Sequence, residues 1–172
     1  MKMNETKKII AICGKICSGK SYYAISLRSE HGGVILSTDE LTWALTRNKQ
    51  GESYNELARN ANEYLMKKAC EIVRAGSDVI LDWGFWSRKD REHTAAFCKN
   101  AGVDIEWHYL DTDYETRMRN IARRNEIVLR KGGPDFFVDE GLLQKMESLW
   151  QTPEPDEIDV WVKPETRITP RE

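Results

Sequence analysis

The sequence predicts an α/β fold: a parallel sheet of about five strands, layered between helices on both faces. Three observations predict it. Short apolar runs alternate along the chain with longer segments of helical periodicity. Glycines and helix-capping residues stand at nearly every junction between the two. A glycine-rich turn follows the first apolar run and opens the first helix. The 172 residues suffice for one domain with a sizeable core, and residues 1–172 are read as a single domain.

The elements follow in order. Lys8–Cys13 (KIIAIC) is a short apolar run ending at Gly14, a buried strand. Gly19–Leu27 reads as a helix that stops near Gly32-Gly33. Val34–Leu36 is a second strand, bounded by Ser37-Thr38-Asp39. From Tyr54 to Val73 apolar residues recur at helical spacing, until Gly76. Asp78–Asp82 (DVILD) is a third strand. Ser87 and Asp90 have the spacing of a capping box, opening a helix that ends at Gly102. Val103–Leu110 (VDIEWHYL) is a fourth strand. Its strict alternation is unusual for a strand covered on both faces, and nothing in the sequence accounts for it. Thr112 and Glu115 have capping-box spacing before a long helix to Lys131, broken by Gly132-Gly133-Pro134. Val138–Trp150 is a last helix and Ile158–Val162 a last strand.

Composition narrows the function. The formal net charge of -2 argues against a protein coated in nucleic acid, though not against one basic groove. No stretch approaches about 18 consecutive apolar residues, so no membrane span is expected. The N-terminus, MKMNETKK, does not read as a signal peptide. A cytoplasmic location is expected. Cys13 and Cys17 form C-x-x-x-C without further ligands nearby, and read as small residues of a tight loop rather than a metal site. Cys70 and Cys98 fall in predicted helices as free core thiols.

Gly14-Lys15-Ile16-Cys17-Ser18-Gly19-Lys20-Ser21 fits G-x-x-x-x-G-K-[ST] in full, with a strand before it and a helix after it. The glycines let successive backbone N–H groups turn inward toward an anion, and the helix adds its positive end. Lys20 reaches the β- and γ-phosphates of a nucleotide, and the Ser21 hydroxyl suits Mg²⁺. Ligands of such sheets bind beyond the carboxyl ends of the strands. Asp39 follows the second strand there, and Asp82 ends the third. Phosphoryl transfer needs one carboxylate at the attacking hydroxyl and another near the metal. Asp39 suits such a role, its rim position favouring it, and could also serve as an N-cap for a helix beginning near Glu40. Asp82 closes a buried run, where an unpaired carboxylate is costly.

Arg117, Arg119, Arg123, Arg124, Arg130 and Lys131 crowd one helix with few acidic neighbours. They form either a lid over the transferring phosphate or a solvated charged face. Arg88 and Arg91 are candidates for binding substrate or phosphate, and Arg91 equally for the surface. Trp83, Phe85 and Trp86 either wall an acceptor pocket or pack the next helix.

The stretches GKICSGKS, GGVILSTDELTWAL, VILDWGFWSRKDR and YLDTDYETRMRNIARRN together resemble the small P-loop kinases grouped with zeta-toxin-like proteins, polynucleotide 5′-hydroxyl kinases and chloramphenicol phosphotransferases. The resemblance covers nearly the whole chain. It implies a P-loop NTPase three-layer sandwich of kinase type, with a helical lid at about 117–135. It implies ATP and Mg²⁺ as cofactors and a nucleotide-binding segment from Gly14 through Tyr22, where many members carry threonine at the Tyr22 position. It further implies Asp39 as the general base, Ser21 and Asp82 at the metal, and Lys20, Arg119, Arg123 and Arg124 at the transferring phosphate. Besides Asp39, the candidates to meet the acceptor are Trp83, Arg88 and Arg91, from their places after the third strand.

The reading that follows is an ATP-dependent phosphotransferase acting on a hydroxyl of a small molecule or nucleotide-like acceptor. One alternative is a nucleotide-hydrolysing switch without an acceptor, and another is a nucleic-acid 5′-hydroxyl kinase. A GTPase-type switch would carry Asn-Lys-x-Asp, whereas Asn48-Lys49-Gln50-Gly51 lacks the aspartate. It would also carry Asp-x-x-Gly, whereas Asp82-Trp83-Gly84-Phe85 places glycine one residue early.

Overall fold

The computed structural model describes residues 6–47, 53–132 and 135–164. Its five strands are β1 (Ile9–Cys13), β2 (Val34–Ser37), β3 (Val79–Asp82), β4 (Ile105–Leu110) and β5 (Val160–Val162). All neighbours pair in parallel, in the order β2-β3-β1-β4-β5. The helices are α1 (Lys20–His31), α2 (Thr38–Thr46), α3 (Tyr54–Arg74), α4 (Arg88–Ala101), α5 (Tyr114–Lys131) and α6 (Glu140–Leu149), with a 3₁₀ turn at Pro155–Glu157. The segment Asn48–Gly51 and the breaker Gly133-Pro134 lie outside the described residues.

β1 takes the central place because every one of its side chains is apolar and buried. Its alternate residues supply two cores. Ile9, Ala11 and Cys13 meet Leu65, Ala69, Val73, Leu81 and Cys98 on the face covered by α3 and α4. Ile10 and Ile12 meet Ala24, Leu27 and Ile80 on the face covered by α1.

The alternation of β4 has its explanation here. Trp107 and Tyr109 point into the first core, while Glu106 and His108 belong to the opposite face. His108 is buried, with Nδ1 2.8 Å from the Tyr23 hydroxyl of α1 and Nε2 2.8 Å from Glu106 Oε1. Lys8 pairs with Glu106 in turn. Polar residues sit inside this layer because each finds a partner there. Burial alone would raise the Glu106 pKa, but the hydrogen bonds from Lys8 and His108 outweigh it and hold it below the ordinary value.

Several boundaries differ from expectation. Ser87 and Asp90 form the reciprocal capping box as predicted. Thr112 and Glu115 do not: Asp113 caps α5, accepting from the Thr116 N–H at 2.8 Å, while the Thr112 hydroxyl donates to the Ser18 carbonyl at 2.8 Å. A long-range acceptor has taken the residue that local spacing assigns to a cap. α2 starts directly after β2 with Ser37 as its cap, so Asp39 lies inside the helix and is not its N-cap. α6 is shorter than predicted at both ends, starting after its cap Asp139 and stopping before Trp150, whose backbone is extended, and β5 begins only at Val160.

Ile80 is fully buried at the centre of the α1 face. Ile80→Ala is expected to lower unfolding free energy by ~2–5 kcal/mol, measured by urea denaturation.

Candidate functional site

Between β1 and α1 the chain turns back on itself. Gly19 adopts φ 97° and Cys17 φ 56°, both in the left-handed region. A side chain on Gly14 would place Cβ 2.6 Å from Ser18 Oγ and 3.1 Å from the Leu110 carbonyl, so that close approach requires glycine. The Ser18 hydroxyl is buried and has no partner among the described residues. Gly19 has no side chain to cap α1, and the first turn carries no acidic residue. The positive helix end therefore stays open to an anion. The loop's outer side packs on α5 and on the segment before α6: Cys17 and Ile16 cluster with Ile121, Met118 and Val138. Lys15 is half-buried, while Ser21 and Tyr22 are exposed at the mouth.

The Lys20 ammonium donates to the Gly14 carbonyl at 3.0 Å and the Lys15 carbonyl at 3.1 Å. Its third side faces the Trp86 ring, 5.4 Å from the centroid. Its enclosed position lowers its pKa below the ordinary lysine value, partly offset by the Asp82 carboxylate. Trp86 is the aromatic residue brought to this site. Its ring folds over Gly84, where any Cβ would stand 2.3 Å from it. Trp83 is instead a core residue: it is buried, donates its indole N–H to the Leu36 carbonyl at 3.0 Å and stacks on Phe85. The packing alternative thus holds for Trp83 and Phe85.

Asp82 stands opposite Ile12 of β1 and Ser37 of β2, on the rim that also carries the loop. Asp39 lies two residues beyond β2, in the first turn of α2. Crowding by the protein, and next the Asp82 carboxylate, raise the Asp39 pKa above the ordinary value, against the pull of Lys20 and Arg124. Ser21 and Asp82 offer a hydroxyl and a carboxylate oxygen. That donor set fits Mg²⁺, which binds through one or two protein oxygens and completes its shell with phosphates and water.

The basic residues of α5 separate into distinct groups. Arg124 pairs with Asp135 at 3.1 Å, and its charge reaches Lys20 and Asp39. Arg119 and Arg123 lie two residues either side of buried Ile121, hence on the outer face, and both are exposed. Arg119 bonds back to Thr116, at 2.7 Å. Arg117, buried, pairs with Glu147.

Arg91 is neither a surface residue nor open to a substrate. It is buried, bonded to Glu157 at 2.9 Å and to the Gln151 and Phe85 carbonyls at 3.0 and 3.3 Å. Arg88 is exposed and pairs with Glu92 along its own helix. The four cysteines are buried, and burial raises their thiol pKa values, to about 12 for Cys13 and Cys98. Gly84 and Glu147 enter the site's surroundings without having been assigned there from sequence, while Trp86 and Arg117 were among the alternatives it left open. The signal for Trp86 was its place beside Asp82; for Glu147 there was none. A separate cavity of about 680 Å³ opens at the amino ends of the strands, lined by Lys8, Asp78 and His108. Several of its charges already pair with one another, Lys7 with Asp78 and Lys8 with Glu106.

A sequence profile of the AAA domain family matches residues 9–153. The chain belongs to this family. No curated protein sequence matches it. Among solved structures, it is similar to the APS kinase of Mycobacterium tuberculosis in complex with AMPPNP and APS, at 19% identity and a TM-score of 0.68, covering 95% of this chain and 91% of that one. A sugar kinase from Janibacter sp. HTCC2649 gives 18% identity and 0.60, covering 91% and 85%. A gluconokinase from Sinorhizobium meliloti 1021 gives 13% and 0.57, covering 92% and 83%. At such identities the likeness is one of fold, and that fold is the five-stranded parallel sheet of P-loop kinases. Among the described residues no helix is long and apolar enough to cross a membrane.

The raised Asp39 pKa has a consequence for stability. The folded state favours its protonated form, so the ionised carboxylate opposes folding once pH exceeds the unfolded value of about 3.9. Asp39→Asn is neutral throughout and is not a cap. It is expected to melt at or up to ~2 °C above the parent at pH 7, the small size reflecting solvent access, with the difference closing near pH 4. Thermal melts across that range check it.

Proposed function

We propose that the protein is an ATP-dependent phosphotransferase that moves the γ-phosphate to a hydroxyl of a small molecule or nucleotide-like acceptor. One observation carries the reading: Asp82 ends β3 level with Ile12 of β1 and Ser37 of β2, so Asp82 and Asp39, two residues past Ser37, share the rim on which β1 runs into the loop. Asp39 caps no helix, which leaves its carboxylate available for the acceptor. The AAA domain match and the kinase folds support the same reading. The whole chain, 1–172, acts as one such domain, in the cytoplasm.

In this mechanism the N–H groups of Gly14–Ser21 surround the phosphates of ATP. Lys20 leaves the Gly14 and Lys15 carbonyls and turns to the β- and γ-oxygens. Ser21 and Asp82 would hold Mg²⁺, which would supply neutralising positive charge beside the transferring group. Asp39 accepts the proton of the attacking hydroxyl, and its raised pKa brings it nearer the working pH, as a general base requires. Arg124, released from Asp135, stabilises charge as the γ-phosphate leaves. Arg119 and Arg123 reach the phosphate only if the lid turns.

Two substitutions test the reading. Mg-ATP should raise the melting temperature by linkage, and Lys20→Ala should abolish most of that shift while the apo protein stays folded; an equal shift in the variant removes the loop from the reading. Asp39→Asn should bind ATP almost normally yet transfer phosphate ~100-fold more slowly to an acceptor found by screening nucleosides, nucleic-acid ends, sugars and antibiotics with labelled ATP. Slow hydrolysis of ATP by water, with no acceptor labelled and no effect of Asp39→Asn, is the outcome for a switch.

A further inference from the structure

Glu147 lies on α6, far along the chain from the loop, yet its two oxygens divide between the loop and the lid helix. Oε2 accepts from Lys15 Nζ at 2.8 Å, and Oε1 accepts from Arg117 Nη1 at 2.5 Å. Lys15 belongs to the phosphate loop. Arg117 stands in the first turn of α5, about two turns before Arg124. The Arg117 side chain is 3% exposed, and its Nε has no partner among the described residues. A guanidinium buried to that degree is costly unless a carboxylate meets it. Burial would raise the Glu147 pKa, but the hydrogen bonds from Lys15 and Arg117 outweigh it and keep it below the ordinary value. The turn before α5 and α5 itself hold the loop at two further points: Thr112 Oγ1 donates to the Ser18 carbonyl at 2.8 Å, and Asn120 Nδ2 to the Cys17 carbonyl at 2.9 Å. Glu147 adds the Lys15 end, so both limbs of the loop are tied to one helix.

We propose that Glu147 is a positioning residue for phosphoryl transfer: by holding Lys15 and Arg117 on one carboxylate, it fixes the loop's N–H groups and Arg124 relative to each other. This rests on the phosphotransferase reading. Two groups that act on the same phosphate must keep their separation, and a misplacement of about 1 Å costs on the order of 100-fold. The Lys15 pair, one-third exposed, contributes little stability by itself. Its effect is expected in the loop's geometry.

The test uses the full chain and Mg-ATP as the probe, followed by titration calorimetry and thermal melts. Glu147→Gln and Lys15→Met should each weaken Mg-ATP binding about tenfold, and the double variant should be little worse than Glu147→Gln alone, because both break the same Lys15–Glu147 contact. Arg117→Leu/Glu147→Leu removes the buried pair without leaving an unpaired charge. It should stay folded and still bind Mg-ATP about tenfold more weakly. Losses that simply add overturn the proposal, as does a folded Leu/Leu variant with parental affinity. A wild-type chain that binds no Mg-ATP overturns the nucleotide reading itself, and this proposal with it.

Discussion

The site depends on where the carbonyl groups of one short turn go. A backbone that aims its N–H groups at an anion must send its carbonyls the other way, and buried carbonyls need donors. In this protein, four residues supply the donors. Lys20 takes those of Gly14 and Lys15, Asn120 takes that of Cys17, and Thr112 takes that of Ser18. The helix itself takes Gly19, through the Tyr23 N–H at 3.0 Å. The left-handed conformations at Cys17 and Gly19 persist because the surrounding structure determines them from outside. The loop is thus shaped before any ligand arrives, and a preorganised cradle loses little freedom on binding.

That arrangement also explains which parts of the molecule were legible in the sequence. The loop, the strands and the Ser87–Asp90 box are local: their signals lie within a few residues, and the fold follows from their order. Asp39 and Asp82 were visible because strand ends in a parallel sheet share a rim. Thr112 was misread because its spacing to Glu115 suits a cap, while the acceptor that claims it lies 94 residues away. Glu147 had no signal, since an acidic residue on a short amphipathic helix looks the same whether it meets water or a buried arginine. Trp83 and Trp86 looked equivalent. What separates them is a hydrogen bond to Leu36 in one case and the clearance over Gly84 in the other.

The polar positions of β4 show a related limit. Period-two alternation ordinarily means one dry face and one wet face. In β4 both faces are covered, and the polar one is a chain of partners running from Lys8 through Glu106 and His108 to Tyr23. Tyr23 lies one turn after Lys20, so this chain fixes α1 against the sheet directly behind the lysine. Sequence pattern reports polarity, not whether a partner waits on the neighbouring helix.

The burial of all four cysteines has a practical side. Each thiol is enclosed and, with its pKa raised, carries little of the thiolate that alkylating reagents attack. The folded chain is therefore a quiet background for maleimide chemistry. A single cysteine placed on the outer face of α5, where Arg123 and Leu129 are exposed, would take a dye at one position with the native thiols left intact. The helix that grips the loop at one end and carries Arg124 farther along could then be followed by spectroscopy, its orientation read directly as nucleotide is added.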